Sequence, residues 1–176
     1  LFIFNIEKGK YEEIAKEVTS YDWIDDENIV YSTNETGFTK FNMANREKTN
    51  HIDEYHYSNF KASKDGFAYG KQIFEWTTEE GDFISNDGIV EINLNNYDKN
   101  KEQFSTNIIV EGRKSTDEMI GYDPIVWDIS DDGRYIYIME KPASGSLSSD
   151  GIGVGIYDVN EKTHTEFSDI NSLYTA

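Results

Sequence analysis

The chain has 176 residues, carries 34 acidic against 16 basic side chains for a formal net charge of −18, and contains no cysteine. That charge argues against nucleic acid and anionic membrane as partners, because phosphate binding rests on Lys and Arg neutralisation. The lack of cysteine excludes disulfide scaffolds, thiol catalysis and cysteine-based zinc sites. No run approaches the ~18 apolar residues that cross a bilayer as a helix. The length suits one domain, and an aromatic content of 14%, led by twelve Tyr and ten Phe, favours strands around an aromatic core.

The chain opens at Leu1 without an initiating Met, on the apolar stretch LFIFNI, which reads as a strand. The expectation is a piece of a longer polypeptide from which any leader or anchor has been removed. From there two patterns alternate. In the first, an apolar residue, Asn or Asp, and an aliphatic residue end a strand before a polar turn. Its copies are Phe4-Asn5-Ile6, Phe41-Asn42-Met43, Ile92-Asn93-Leu94 and Tyr157-Asp158-Val159. Each turn is followed by a short segment ending apolar at Ile14, Ile52, Phe104 or Phe167, so each copy reads as a β-hairpin. Measured at Asn5, Asn42, Asn93 and Asp158, the copies are 37, 51 and 65 residues apart.

In the second pattern an aromatic residue leads into an acidic turn and an aromatic–aliphatic run: WIDDENIVYS from Trp23, FKASKDGFAYG from Phe60 and WDISDDGRYIYI from Trp127. Asp-Gly at 65–66 and 132–133 supplies the positive φ that tight turns need, and Asn28 is expected to take that place in the first copy. One position per unit predicts a core role for Trp23, Phe60 and Trp127. The unequal spacing predicts insertion loops at 77–87, 111–119 and 142–151, the last rich in Gly and Ser. In YEEIAKEV, Tyr11, Ile14, Ala15 and Val18 also match helical spacing, but a strand fits the other copies.

Together the patterns predict an all-β, β-propeller-like array of about three and a half four-stranded antiparallel blades. A half blade covers about 1–18, and full blades cover about 19–53, 54–105 and 122–167. DISDDGRYIYI resembles the Ser-x-Asp-Gly-x-x-Ile hairpin of TolB-like and WD40-like bacterial propellers, with Ser130, Asp132, Gly133 and Ile136 in matching places and Asp131 where that family often has proline. KASKDGFAY keeps Ser63, Asp65 and Gly66, and DDENIVY keeps only the character of the turn. The resemblance implies a fold and no single activity. Fewer blades than the six or seven usual in that group leave open edges. A fragment, a small closed variant or a ring completed by a second copy, hence a homodimer, each accounts for that number.

Sites are sparse. The acidic turn at Asp131 and Asp132 lacks the alternation of a calcium loop, and GIGVG lacks the strand and helix that a phosphate-binding glycine loop requires. His51, His56 and His164 form no metal-binding pair in sequence, although His51 and His56 flank Asp53 and Glu54. There is no Gly-x-Ser-x-Gly elbow, and adjacent carboxylates such as Asp25-Asp26 and Glu79-Glu80 point to opposite faces of a strand. No catalytic residue, metal or cofactor is expected. The predicted function is a non-enzymatic binding or sensory module, meeting a protein or an extracellular ligand through loops at one end of the blades. Candidate contacts are Tyr21, Asp22, His56, Tyr57, Trp76 and Tyr122. The resemblance implies a bacterial location outside the cytoplasm, secreted or tethered to the envelope. The alternative is an accessory propeller of a larger hydrolase or peptidase.

Overall fold

The structure, a computed structural model, describes residues 1–77, 83–113, 121–142 and 153–168. These contain fourteen strands and no helix. A hairpin of β1 (Phe2–Asn5) and β2 (Lys10–Glu13) precedes three four-stranded antiparallel sheets, each an up-and-down meander. The first sheet holds β3 (Val18–Trp23), β4 (Asn28–Thr33), β5 (Phe38–Asn42) and β6 (Lys48–His51). The second holds β7 (His56–Ser63), β8 (Phe67–Thr77), β9 (Phe83–Asp98) and β10 (Gln103–Glu111). The third holds β11 (Tyr122–Ile129), β12 (Tyr135–Pro142), β13 (Gly153–Asp158) and β14 (Thr163–Ser168). This is the all-β, propeller-like architecture that the repeats predict.

The first pattern works through its Asx residue. Asn5 Oδ1 accepts the N–H of Lys8, and Asn42 Oδ1 accepts those of Ala44 and Asn45. Asp98 Oδ1 accepts the N–H groups of Asn100 and Lys101, and Asp158 Oδ1 those of Asn160 and Glu161. Each side chain thus replaces a backbone partner and bends the chain. Four residues after each Asx, the backbone turns left-handed at Gly9, Arg46, Glu102 and Lys162. The third turn is therefore made by Asp98 and not by Asn93. A register break, from Phe104↔Tyr97 to Ser105↔Asn93, absorbs Leu94 to Asn96 as a bulge and lets β9 run on.

In the second pattern, Gly66 and Gly133 adopt φ of +84° and +71°, as the Asp-Gly pairs predict. Asn28 departs from expectation, since its φ is not positive. Its side-chain amide and backbone N–H bind Asp25 Oδ1 at 2.9 and 2.8 Å, so a carboxylate holds this turn without glycine. In YEEIAKEV the strand β2 ends at Glu13, and β3 begins only at Val18. Ile14 is then buried against Leu1, Ile3, Ile29 and Phe41. Of the loop expected at 77–87, residues 77 and 83–87 are strand, with β8 and β9 paired from Ile73↔Asp87 to Thr77↔Phe83, and residues 78–82 lie outside the described residues. The loops expected at 111–119 and 142–151 lie for the most part outside the described residues.

The sheets stack face to face, because their central strands are apolar on both sides. Ile29, Val30, Tyr31 and Ser32 of β4 are all buried. Ile29 and Tyr31 face the hairpin, whereas Val30 joins Phe38, Tyr57, Phe60, Val90, Ile92 and Phe104 between the first and second sheets. Ile89, Tyr69 and Val110 then meet Ile136, Ile138 and Tyr157 of the third sheet.

The leading strands β3, β7 and β11 lie side by side along one edge of the stack. A bulge between Ser58 and Lys61, with Asn59 at φ +53°, takes β7 out of register with β8. Ser20 Oγ accepts the N–H of Phe60 and Asp22 Oδ2 that of Ala62, both at 2.8 Å. Removing the acceptor in Asp22→Ala strands the Ala62 N–H at the seam and is expected to lower unfolding free energy by about 1–3 kcal/mol. Urea denaturation with exposed Asp26→Ala as control, expected within about 0.5 kcal/mol of wild type, checks this; equal midpoints would refute the seam.

Candidate interaction surface

The most connected polar cluster lies where β6 passes into β7. His51 is buried, its ring stacked on Phe38 at 4.5 Å and 11°. Its Nδ1 accepts the N–H of Phe104 at 3.0 Å, so that nitrogen carries no proton. Nε2 then bears the proton and donates it to Asp53 Oδ2 at 2.8 Å. The Tyr57 hydroxyl donates to the same oxygen at 2.6 Å and accepts from Gln72 Nε2 at 2.9 Å. Burial, reinforced by the Asp53 carboxylate, raises the Tyr57 pKa and keeps its hydroxyl a donor. Each of these atoms is engaged, and the network ties the first sheet to β8 and β10.

The six candidate contacts fall into different environments. Tyr21 is 54% exposed on β3. Asp22 is half-buried and engaged in the seam. His56 is half-buried on β7, opposite Ile73. Tyr57 is 1% and Tyr122 is 6% exposed, so both side chains are buried. Tyr57 anchors the network, and Tyr122 lies under the Arg113 guanidinium at 4.6 Å. Trp76 belongs to β8, but its side chain lies outside the described residues.

Two further expectations are corrected. Phe60 is core, as predicted from its place in the repeat, but Trp23 is 45% and Trp127 59% exposed. A register break between Val126 and Asp128 leaves Trp127 unpaired on β11. Trp23 sits on the same face of β3 as Tyr21, opposite Ile29 and Tyr31. That face is covered by the hairpin over β4 and β5, and among the described residues no strand covers Tyr21 and Trp23. A cleft of about 430 Å³ runs past Trp23, lined by Ile24, Asp25, Asp26, Ala62 and Lys64. On the outer side of the hairpin Phe2, Phe4 and Tyr11 are 58%, 59% and 74% exposed. Aromatic side chains with an apolar body at an uncovered sheet face are what protein interfaces select.

The acidic turn at 131–132 is the β11–β12 hairpin turn. Asp132 Oδ1 accepts from Ser130 Oγ at 2.6 Å and from the Arg134 N–H at 3.1 Å. These bonds, Ser130 first, lower its pKa. Between the second and third sheets Lys71 Nζ pairs with Asp87 Oδ2 at 2.6 Å. The nearby Asp123 has its pKa raised, chiefly by burial. Among the described residues no serine hydroxyl bonds to a histidine.

No protein-family model matches the chain, and no curated protein matches it in sequence. Among solved structures, the crystal structure of the tricorn protease is similar, with a TM-score of 0.60 and 16% identity. The match covers 94% of this chain and 20% of that one, so the chain spans a fifth of the protein it resembles. At that identity the likeness is one of fold. If the buried network is structural, Tyr57→Phe should lower stability by about 1–3 kcal/mol, because Asp53 and Gln72 lose a partner inside the protein. Exposed Tyr21→Phe should stay within about 0.5 kcal/mol. Chemical denaturation with both variants is the check, and equal effects would remove the network from the account.

Proposed function

We propose that this chain is a non-enzymatic, propeller-like binding module that meets a protein partner through the aromatic surface of β3 and the terminal hairpin. The observation that carries the reading is the exposure of Tyr21, Trp23, Phe2, Phe4 and Tyr11 at one end of a stack whose internal faces are covered. Placement outside a bacterial cytoplasm belongs to the same proposal. It rests on the resemblance of the 128–138 hairpin to TolB-like repeats.

A second reading draws support from the structural likeness. A chain matched over 94% of its length to 20% of a protease has the proportions of an accessory propeller in a larger peptidase. The same aromatic face would then seat neighbouring strands of that polypeptide.

In the isolated chain these faces have only each other to bury. Light scattering coupled to size exclusion at tens of micromolar is therefore expected to give a mass near twice 20.3 kDa. Added salt should strengthen the association by screening the net charge of −18. Tyr21→Ser with Trp23→Ser should weaken association at least about tenfold, as loss of buried aromatic anchors does, with the far-ultraviolet spectrum unchanged. A mass insensitive to that double substitution would remove this surface from the proposal. Peptide hydrolysis by the purified chain would overturn the non-enzymatic reading. Under the peptidase reading, Trp23 becomes shielded from acrylamide quenching in a longer polypeptide and stays accessible in the isolated chain.

A further inference from the structure

On the third sheet, Ile136, Ile138 and Glu140 of β12, Gly153, Gly155 and Tyr157 of β13, and His164 and Glu166 of β14 share one face. The register shows it: Ile138↔Gly155↔Glu166, Ile136↔Tyr157↔His164 and Glu140↔Gly153. Most of this face packs against the second sheet, but at its far end a buried carboxylate, an imidazole and an exposed carboxylate converge. One donor atom from each of Glu140, His164 and Glu166 lies within 4.8 Å of the others. We propose that these three side chains bind one divalent ion of the zinc class, leaving a coordination position for water.

Four features support the assignment. Glycine makes the convergence possible, since a Cβ built at Gly155 would sit 2.5 Å from His164 Nε2. With that space open, the ring leans across β13 and brings Nε2 to 4.0 Å from Glu140 Oε1. His164 Nε2 is itself shut away from solvent and makes no hydrogen bond. An imidazole nitrogen aimed at two carboxylates without a protein partner is a ligand in search of an ion. The donor set of one nitrogen and two carboxylates, with a combined charge of −2 when the ring is neutral, suits a tetrahedral zinc-class ion better than calcium, which takes six to eight oxygens. Finally, β14 is the outer strand of its sheet, and a register break between Val154 and Gly155 bends the pairing beside Glu166. Ligand atoms around a tetrahedral ion lie about 3.3–3.5 Å apart, and the exposed Glu166 side chain is free to swing the remaining distance.

The proposal is tested on the whole chain by titration with Zn²⁺ against a chromophoric chelator, followed by thermal unfolding with and without the ion. One equivalent should bind, and the wild-type melting point should rise with Zn²⁺ and fall back with EDTA. His164→Ala and Glu166→Gln should each weaken binding at least about tenfold, and Gly155→Ala should do the same by displacing the imidazole. His56→Ala, elsewhere in the fold, should leave binding unchanged. Glu166 is exposed on an outer strand, so Glu166→Gln decides the matter if His164→Ala does not fold. The proposal fails if Zn²⁺ does not raise the melting point, if binding survives both His164→Ala and Glu166→Gln, or if Ca²⁺ competes equally, which would mark adsorption to the acidic surface. In the first of these cases the cluster is a buried acid–imidazole pair.

Discussion

A β-sheet whose central strands are apolar on both faces has to be covered twice, and the rest of this structure follows from that constraint. Four consecutive buried residues in β4 cannot be satisfied by one neighbour, since alternate side chains point to opposite faces. The first sheet therefore packs on the hairpin through Ile29 and Tyr31 and on the second sheet through Val30. The second sheet repeats the arrangement, with Val90 and Ile92 on one side and Ile89 on the other. The third sheet has Ile136 and Ile138 buried on one face while Tyr137 on the other is 38% exposed. Among the described residues the layer of β1 and β2 has two strands, and it leaves Tyr21 and Trp23 of the leading strand of the first sheet exposed.

Face-to-face packing alone does not fix how the layers rotate against each other, because apolar contact is non-directional. Polar seams supply that direction. The bulged β7 turns two backbone N–H groups toward β3, where Ser20 and Asp22 receive them. At the outer strands His51 and Gln103 bridge the sheets through the Phe104 N–H and the Ile52 carbonyl. Each seam uses a hydrogen bond across the layers at a point where the ladder within the sheet is interrupted or ended. This explains why Asp22, read from sequence as a surface contact, is committed to the fold.

Much of the architecture was legible, because its signals are local. Hairpin turns depend on a residue that accepts from its own backbone or tolerates positive φ, and both classes stand out in a sequence. The misplacement of the third Asx turn shows the limit. Asn93 caps the Asn95 N–H much as Asp98 caps that of Asn100, and only the pairing with β10 decides which one reverses the chain. Surface and core were harder to separate. Trp23, Phe60 and Trp127 are equivalent in the repeat, yet Phe60 is buried between two sheets, whereas Trp23 stands exposed on a face the hairpin does not cover and Trp127 is turned out by a bulge. Repetition specifies the position of a residue within a layer and says nothing of whether another layer lies beyond it. The convergence of Glu140 with His164 and Glu166 was equally hidden, since it spans a strand between them. Its one local trace is His-x-Glu opposite a Gly-x-Gly strand.

The contrast between the two histidine clusters bears on where such a scaffold can host chemistry. Around His51 both ring nitrogens, both Asp53 oxygens and the Tyr57 hydroxyl are taken up by the protein, and a ligand would have to break that network to enter. Around His164 the ring nitrogen has no hydrogen-bond partner, glycine replaces the side chain that would have filled the space, and one of the carboxylates is at the surface. Interior layers cannot tolerate such a vacancy, because an unmet polar atom between two sheets carries its full desolvation cost. The last strand of a layer differs, since its outer edge is open to one side, where Glu166 is exposed while His164 Nε2 itself is shut away from solvent. In a stack of sheets, new function is therefore expected at outer strands and at uncovered end faces, and both the aromatic surface and the Glu140–His164–Glu166 cluster lie there.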